Sequence, residues 1–490
     1  MLKNLEGVIL AAGRSTRFNT GKSKLIEKIC GQEMIYYSTG LLNSLKIPGI
    51  VVVGYQKEVV TELIQKRFNK EFRFVEQTEQ RGTGHAIMCT KPYWTGEHIL
   101  IMNADTPLIK QEHIRALFDK HNKTHAAMTF ITAYNIDPAV SGYGRVIENE
   151  KGVCIVEQKE YDALYKKNDS DEVPCLNAGV YILRRDFLDE YIEKIPKSAQ
   201  TGEYYFTELA RMASEAGLTV STINLTFDII RGVNTLRDLW TAEQLKKSEL
   251  ITQRMEQGVR FGAAQNVHID LEVEIGPGTY IGTGVQLFGT TKIGSNCTIE
   301  AFSSLTNATL EDYVHVHSHS NVKNSYVKHH SYVGPFAHIK SNSTIDEHTT
   351  IGNFVEINRS QVGAYTKIKH MCYIGDAKVG KHVNIGAGSI TCNFDGIDKH
   401  VTEIKDHAFI GSNTAFVAPV IIGERAYTAA GSVITQNVPE NALAIARSRQ
   451  INKEEYVYRF MQKKNLSKQL ESAYIAATKT FHETTFNENL

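Results

Sequence analysis

Ile275-Gly-Pro-Gly-Thr-Tyr-Ile-Gly-Thr-Gly-Val-Gln-Leu287 carries an aliphatic residue at every sixth position, and that spacing decides the fold of the second half of the chain. The rhythm continues through Ile293, Ile299 and Leu305. It restarts as Val327, Val333, Ile339, Ile345, Ile351 and Ile357, and again as Ile404, Ile410, Phe416, Ile422, Thr428 and Ile434. A period of six matches neither a helix at 3.6 nor a hairpin sheet at 2. It matches a parallel β-helix of short strands, each adding one aliphatic residue to a stacked column. The restarts follow five-residue steps at Leu305 to Leu310, Val322 to Val327, Ile357 to Val362 and Ile374 to Val379, which reads as shortened turns within one continuous fold.

At 490 residues the chain is too long for one ordinary core, so at least two domains are expected. The 54 basic and 54 acidic side chains cancel, which gives no electrostatic reason to expect nucleic acid or an anionic membrane as partner. Met1 to Leu10 has no cationic stretch leading into a long apolar core, and no segment approaches the roughly 20 apolar residues of a membrane span. A soluble cytoplasmic protein without integral membrane association is the expectation. Seven cysteines, odd in number and without CxxC spacing, argue against a disulfide framework or a thiolate zinc site.

Apolar runs at Val8–Ala12, Ile50–Val53 and Ile99–Met102 alternate with helical spacing at Met34–Leu45 and Glu58–Phe68. This is the pattern of a mainly parallel α/β sheet, with ligands at the carboxyl ends of its strands. The expected organisation is an α/β (Rossmann-like) domain over 1–235, a linker helix over 236–258, a left-handed parallel β-helix over 259–449 and a helical tail over 450–490. The linker helix is expected to bury a face of Leu236, Leu239, Trp240, Leu245, Leu250 and Met255. The tail reads as helical through Tyr456 to Thr478, ending in the polar stretch His482 to Leu490.

Leu10-Ala-Ala-Gly-Arg-Ser-Thr-Arg-Phe18 follows the first strand, with Lys24 close behind. A glycine-containing loop after a strand admits backbone N–H groups to phosphates, and Arg17 and Lys24 can neutralise them. Taken alone this is also a generic strand-to-helix turn. A second turn, Glu79-Gln-Arg-Gly-Thr-Gly-His85, and Asp105 at the end of an apolar strand add a place for a divalent cation. These motifs, with GYGR at Gly142, IVEQK at Ile155, Asn177-Ala-Gly, GEYYFTEL at Gly202 and GVN at Gly232, resemble in order the sugar-phosphate nucleotidylyltransferases. With the hexapeptide repeats behind them, residues 5 to 450 resemble the bacterial bifunctional N-acetylglucosamine-1-phosphate uridylyltransferases and glucosamine-1-phosphate acetyltransferases.

The resemblance implies that Leu10, Ala11, Ala12, Gly13 and Lys24 contact the nucleotide, with Gln77, Gly82 and Thr83 reading uracil and ribose. Gly144, Glu157 and Asn177 would hold N-acetylglucosamine, and Asp105 and Asn234 would bind Mg²⁺. UTP and N-acetylglucosamine-1-phosphate would be the substrates, and Arg17 and Lys24 would stabilise charge as pyrophosphate leaves. Three positions depart from the family's pattern: Ser15 stands where a glycine is usual, Ser23 where a proline is usual, and Asn103-Ala104-Asp105 where Tyr-Gly-Asp is usual. Asn103 and Ala104 therefore bear on sugar or nucleotide preference.

Within the repeats, Asn393 to Lys399 interrupts the rhythm with a loop, and His370-Met-Cys-Tyr373 supplies an imidazole. An imidazole suits proton removal from an amine attacking a thioester. A single histidine among eighteen is more often a surface residue; the resemblance makes His370 the general base. Glu356 would orient its ring, Tyr373 and Asn384 would lie near the acceptor, glucosamine-1-phosphate, and Ala387, Asn393, Phe394, Ser412, Ala430 and Arg447 would line the acetyl-CoA path. Where the family places an arginine and a lysine on the acceptor phosphate, this chain has Lys340 and Asn358. Arg359, next to Asn358, is a candidate to reach over in its place, although successive strand residues point to opposite faces, so the two outcomes stay open. A homotrimer is expected from the family. His315-Val-His-Ser-His319 and His329-His330 raise the thought of a metal; the alternation equally fits a strand with outward polar residues, and that reading is taken.

Two alternatives stay open at this level. The β-helix could be mainly an oligomerisation scaffold with weak or redirected acyl transfer, or the chain could be a sugar-nucleotide sensor or assembly subunit.

Overall fold

The computed structural model describes residues 2–18, 20–69, 71–135, 142–150, 152–158, 160–161 and 173–486, without the side chains of Asn149 and of 479–486. Lys159, in the IVEQK motif, and the last four residues of the polar C-terminal stretch lie outside them. Leu5–Ala11, Gly49–Val53, Phe72–Glu76 and His98–Asn103 pair in parallel, with Leu5–Ala11 between Gly49–Val53 and His98–Asn103. The sheet runs on through Cys175–Arg184, which is antiparallel to both its neighbours, to Met128–Tyr134 and Val220–Asn224. The sheet is mainly parallel, as expected, with Cys175–Arg184 running against the other strands of this order. Central strands buried on both faces read as continuous apolar runs, and Val8, Ile9, Ile99, Leu100, Ile101 and Met102 are all fully buried. Ile35–Leu45, Lys57–Phe68 and Gln111–Thr124 are the larger covering helices. The consequence is a row of strand ends, at Ala11 and Asn103, that opens on one edge.

Leu236–Glu256 is capped by a reciprocal pair, Thr235 Oγ1 accepting from Asp238 N–H and Asp238 Oδ2 from Thr235 N–H. Its buried residues are Ala242, Leu250 and Ile251, while Leu236 and Trp240 are more than half exposed and Met255 is exposed too. The expected broad apolar face is thus replaced by a narrow buried line. The helix is wedged between the Lys28–Ile29 hairpin strand and the first β-helix strands, and only the side chains in that crevice leave water. One core runs without a break from Phe18, Ile29 and Met34 through this line into the repeats.

From Arg260 the chain winds as three parallel sheets of eleven, ten and nine short strands, a left-handed parallel β-helix of hexapeptide repeats. Tyr280 pairs with Thr298, Thr298 with His315, His315 with Tyr332 and so on up one face. Beneath them Ile281, Ile299, Val316, Val333, Ile351, Ile368, Ile385 and Ile410 stack in one buried column, each contributing about 1.5–3 kcal/mol by leaving water. The five-residue steps fall at one corner, where Asn307, Asn324, Arg359 and Asp376 adopt φ of 47°, 47°, 50° and 49°. A single left-handed residue turns the chain there more tightly than a full corner. A second corner carries a stack of rings, Tyr313, His330, His348, Tyr365, His382 and His407, with centroids 4.8–5.0 Å apart. His330 of the sequence's histidine pair belongs to that stack. The Asn393 loop lengthens one coil, so that Asn384 pairs with Phe409. A helix, Tyr456–Phe486, closes the described chain and runs past Thr478, where the apolar pattern ends.

Candidate active sites

The first site lies at the carboxyl ends of Leu5–Ala11 and His98–Asn103, where two adjoining cavities of about 350 and 190 Å³ share Leu10, Thr83, Asn103 and Asp105. The larger is lined by Leu10, Ala11, Ala12, Gly13, Lys24, Gln77, Gly82, Thr83 and Asp105, with Gln80 and Glu203 in addition. The smaller holds Arg17, Gly144, Glu157, Asn177 and Asn234. Ala104 is buried beneath them. Every residue the resemblance assigned to nucleotide, sugar or metal in this domain thus borders one continuous hollow or, for Ala104, underlies it.

Lys24 Nζ lies 2.5 Å from Asp105 Oδ2 and 3.0 Å from Asn234 Oδ1, and Arg17 Nη2 donates to the same Asn234 oxygen at 2.8 Å. Two cations therefore converge on a carboxylate and an amide oxygen. Such hard oxygen donors suit Mg²⁺, and the two cationic groups already compensate the charge and lone pairs that such an ion would. Asp105 O accepts from Val233 N–H at 2.8 Å, and Asn234 N–H donates to the helix-capping Asp238 at 3.1 Å. The linker helix therefore fixes Asn234 opposite the strand end.

Ser15, one of the departures, has φ 54°. That is a conformation glycine adopts freely and other residues reach at a cost of about 1–2 kcal/mol. Its hydroxyl accepts from Lys24 N–H at 3.1 Å, so the side chain that replaces the glycine anchors the lysine segment. Ser23 caps the turn at Lys24–Ile26 through its own hydroxyl. The Gly82 turn is clamped to the GEYYF segment: Gly84 N–H donates to Tyr204 O and Tyr204 N–H to Arg81 O, both at 2.8 Å. A Cβ at Gly82, φ 100°, would sit 2.5 Å from Tyr204 O. Gln80 bridges back to Ala12 O at 2.6 Å, tying the two loops together. The sequence reading missed Gln80, Glu203 and Tyr143; only their position inside the quoted motifs pointed to them. Tyr143 Oη accepts from Gly232 N–H at 2.7 Å, and burial pushes its phenol up to about 12. Glu157 is raised by burial despite the 2.8 Å hydrogen bond from Thr207 Oγ1. Asn103 lies over Gly179, φ 71°, where a Cβ would come within 2.3 Å of its Nδ2. A glycine is required there because the Asn103 side chain, which borders both cavities, occupies the space a Cβ would take.

The second site is built along one corner of the β-helix. His370 ends the strand Lys367–His370 with its side chain exposed. Its Nδ1 is 2.7 Å from Asn353 Oδ1 in the coil before. An amide oxygen only accepts, so Nδ1 carries a proton, and in the neutral ring Nε2 is then the nitrogen with the lone pair. Asn353 thus occupies the orienting position expected of Glu356, whose carboxylate instead pairs with Lys340 at 2.9 Å; register puts Glu356 beside Tyr373 on the next face, away from His370 Nδ1. Above His370 the corner climbs by backbone contacts: Gly388 N–H to His370 O, Asn413 N–H to Ala387 O, Gly431 N–H to Ser412 O. The Arg447 stem lies over Gly431. Ala387, Ser412, Ala430 and Arg447 therefore form one line leading away from His370. Asn384 lies on the preceding face, beside Lys367.

Asn393 and Phe394 are separate from that line. Asn393 Nδ2 donates to Asp376 in a short contact, and Phe394 is 59% exposed on the loop. Asp376 also receives Arg359 Nε and Nη2 at 2.6 and 2.7 Å, while Arg359 Nη1 donates to Asn358 Oδ1 at 3.1 Å. Strand alternation left open whether Arg359 reaches over beside Asn358, and here it does. Its φ of 50° breaks strand alternation at the corner and folds the guanidinium back beside its neighbour. Of the sequence's histidine run, His315 and His317 share Glu300 at 2.7 and 3.1 Å, whereas His319 is stacked between Phe302 and Phe336.

An α/β pocket for a nucleotide in front of a hexapeptide β-helix defines a nucleotidyltransferase joined to an acyltransferase. Residues 7–149 match the MobA-like NTP transferase domain and residues 402–436 the hexapeptide repeat of succinyl-transferase. The chain is 38% identical over 472 residues to the bifunctional protein GlmU of Clostridioides difficile, covering 95% of this chain and 100% of that one. It is also 38% identical to those of Alkaliphilus metalliredigens, over 93% and 98% of the two chains, and of a Geobacillus species, over 94% and 98%. The chain belongs to the GlmU family of bifunctional proteins. It is a nucleotidyltransferase and acetyltransferase of UDP-N-acetylglucosamine synthesis, and the scaffold and sensor readings are not favoured. No helix among the described residues is long and apolar enough to cross a membrane.

Proposed function

We propose that the β-helix corner at His370 acetylates glucosamine-1-phosphate from acetyl-CoA, and that the α/β pocket then transfers uridylyl from UTP to the resulting N-acetylglucosamine-1-phosphate. In the first step His370 Nε2 takes the proton from the amine as nitrogen bonds to the thioester carbonyl carbon. The carbon–sulfur bond then breaks, and the proton passes to the departing thiolate. The 2.7 Å contact of His370 Nδ1 with Asn353 Oδ1, which in the neutral ring leaves Nε2 as the basic nitrogen, is the observation that carries this assignment. The line of Ala387, Ser412, Ala430 and Arg447 offers acetyl-CoA a track that ends at His370, with Arg447 suited to its phosphates.

Lys340 supplies one cation for the acceptor phosphate, and Arg359, turned beside Asn358, supplies the other. The fork held by Asp376 keeps Nη1 facing Asn358, with Tyr373 beside it, and Asn358 is left as a neutral donor. A chain that lacks the family's lysine thus has a guanidinium beside Asn358, with Nε and Nη2 on Asp376 and Nη1 on the Asn358 side.

In the second step the 1-phosphate oxygen attacks the α-phosphorus of UTP as the bond to pyrophosphate breaks. Gln77, Gln80, Gly82 and Thr83 face the base and ribose; Gly144, Glu157 and Asn177 face the sugar. Arg17 and Lys24 lie where charge moves onto the leaving group, so positioning and electrostatics suffice. Asp105 and Asn234 would hold Mg²⁺, which when bound neutralises phosphate oxygens. Substrates of this kind, UTP and acetyl-CoA, place the reaction in the cytoplasm. Met371, Ile390, Phe409, Tyr427 and Val433 leave apolar surface exposed around the His370 corner, which supports assembly as a homotrimer in which neighbouring chains cover it.

Two assays on one preparation test the reading: release of CoA thiol with glucosamine-1-phosphate, and Mg²⁺-dependent release of pyrophosphate from UTP with N-acetylglucosamine-1-phosphate. His370→Ala is expected to lose only the first and Lys24→Ala only the second. Joint loss in either variant, with the fold intact, would overturn the division of labour.

A further inference from the structure

Glu300, His315 and His317 place three ligand atoms within 4.8 Å of one another on the outer face of the β-helix. The strand His315–Val316 explains why: period two puts His315 and His317 on one face on either side of buried Val316. Glu300 comes from the coil before, directly beneath His317 in the ladder that pairs Ile299 with Val316. His315 Nε2 and His317 Nδ1 both converge on the single oxygen Oε1, at 2.7 and 3.1 Å, and the rings stack with centroids 4.1 Å apart. The other oxygen, Oε2, accepts from Ser318 N–H and Ser318 Oγ–H, each at 3.0 Å. The carboxylate is therefore held in one orientation with Oε1 directed at the two imidazoles. Burial would raise the Glu300 pKa, but these hydrogen bonds from His315 and Ser318, with His317 nearby, bring it down to about 2.

We propose that Glu300, His315 and His317 form a binding site for a divalent transition-metal ion, zinc by preference, that staples two successive coils of the β-helix. Two imidazoles and one carboxylate are a donor set that Zn²⁺ accepts, with water completing the tetrahedron. Bonds of about 2.0–2.1 Å in a tetrahedron put neighbouring ligand atoms about 3.3 Å apart. The spacings to Oε1, 2.7 and 3.1 Å, need to open by about 0.6 and 0.2 Å to reach that value, and the three ligand atoms already lie within 4.8 Å of one another. The side chains are one-third exposed or slightly less, so an ion can enter and keep a water. Ser318 then acts on the second shell, fixing the carboxylate as partners of metal ligands commonly do. His319, His329 and His330 take no part: the first is stacked between Phe302 and Phe336, the second pairs with Glu311, and the third lies in the corner stack. The site is separate from the oxygen donors Asp105 and Asn234, which suit Mg²⁺; imidazole donors discriminate in the opposite sense.

Full-length protein freed of metal by chelator and titrated with Co²⁺ tests this. The expected result is a visible absorption band of low-symmetry, imidazole-ligated Co²⁺ that saturates at one equivalent per chain. Zn²⁺ should displace it, a large excess of Mg²⁺ should not, and Asp105→Asn should leave it in place. His315→Gln, His317→Gln and the near-isosteric Glu300→Gln should each abolish the band while retaining the parent's circular dichroism and uridylyl transfer. Ser318→Ala should weaken Co²⁺ binding by about tenfold. Zn²⁺ should raise the melting temperature of the parent and of Asp105→Asn but not of the histidine variants. No band in the parent, a band that survives the folded ligand variants, or one that disappears in Asp105→Asn would overturn the proposal.

Discussion

The nucleotide pocket and the His370 corner differ in how much of a site one chain contains. In the α/β domain two cavities enclose every assigned group, and Lys24, Arg17, Asp105 and Asn234 are already locked together. At the β-helix His370, Ala387, Ser412, Ala430 and Arg447 follow an open corner, with His370 exposed and apolar side chains around it facing water. A doubly wound sheet creates a crevice by itself because its strand ends and loops surround it. A prism of short strands has only flat faces and corners, and it acquires a cleft when another surface is laid against it. The lesson is that one chain can hold two transferases of unequal self-sufficiency.

The comparison breaks most sharply under substitution of one site at a time. His370→Ala should lower acetyl transfer by about 10²–10⁴-fold, as loss of a general base does, and leave pyrophosphate release unchanged. Lys24→Ala should cut uridylyl transfer by about 10²–10³-fold, as loss of an electrostatic stabiliser does, with acetyl transfer intact. Arg359→Ala should raise the KM for glucosamine-1-phosphate by about tenfold, the worth of one charge-assisted contact. It should leave the KM for acetyl-CoA in place; Arg359→Lys should restore part of the effect. An unchanged acceptor KM would remove Arg359 from the phosphate.

The smallest expected effect is on stability. Arg359 holds the Asp376 carboxyl below its ordinary range, with burial opposing. A depressed carboxyl pKa stabilises the fold fully above the unfolded value of about 3.9 and loses that contribution as pH falls through the lower folded value. Asp376→Asn should therefore unfold at lower urea than the parent at pH 7, and the two should converge in acid. A constant difference across that range would show that the ion pair contributes nothing through its charge.

The repeats were legible residue by residue, because a period of six in buried aliphatics from Ile275 to Ile434 has no other simple reading. The loops at Leu10 and Gly82 were legible too, since glycine and strand ends mark them. What the sequence hid was orientation. Strand alternation left the direction of Arg359 open, and a single left-handed residue at the short corner turns it beside Asn358. Glu356 seemed the partner of His370, but register across coils brings Asn353 there, seventeen positions away. The linker helix showed a broad apolar stripe in Leu236, Trp240 and Met255, though its crevice admits only Ala242, Leu250 and Ile251. The convergence of Glu300 with His315 and His317 joins successive coils, and no window on the strand alone contains it. Each of these depends on which coil lies above which, and that is fixed only when turn lengths are known.

The most direct test of the unequal self-sufficiency of the two sites is to measure both half-reactions on the same sample while dilution or mild denaturant takes the assembly to single folded chains, with mass followed by sedimentation. Acetyl transfer should fall in step with the assembled fraction, and uridylyl transfer per chain should stay constant. Acetyl transfer that persists in the single chain, or uridylyl transfer that falls with it, would contradict the account.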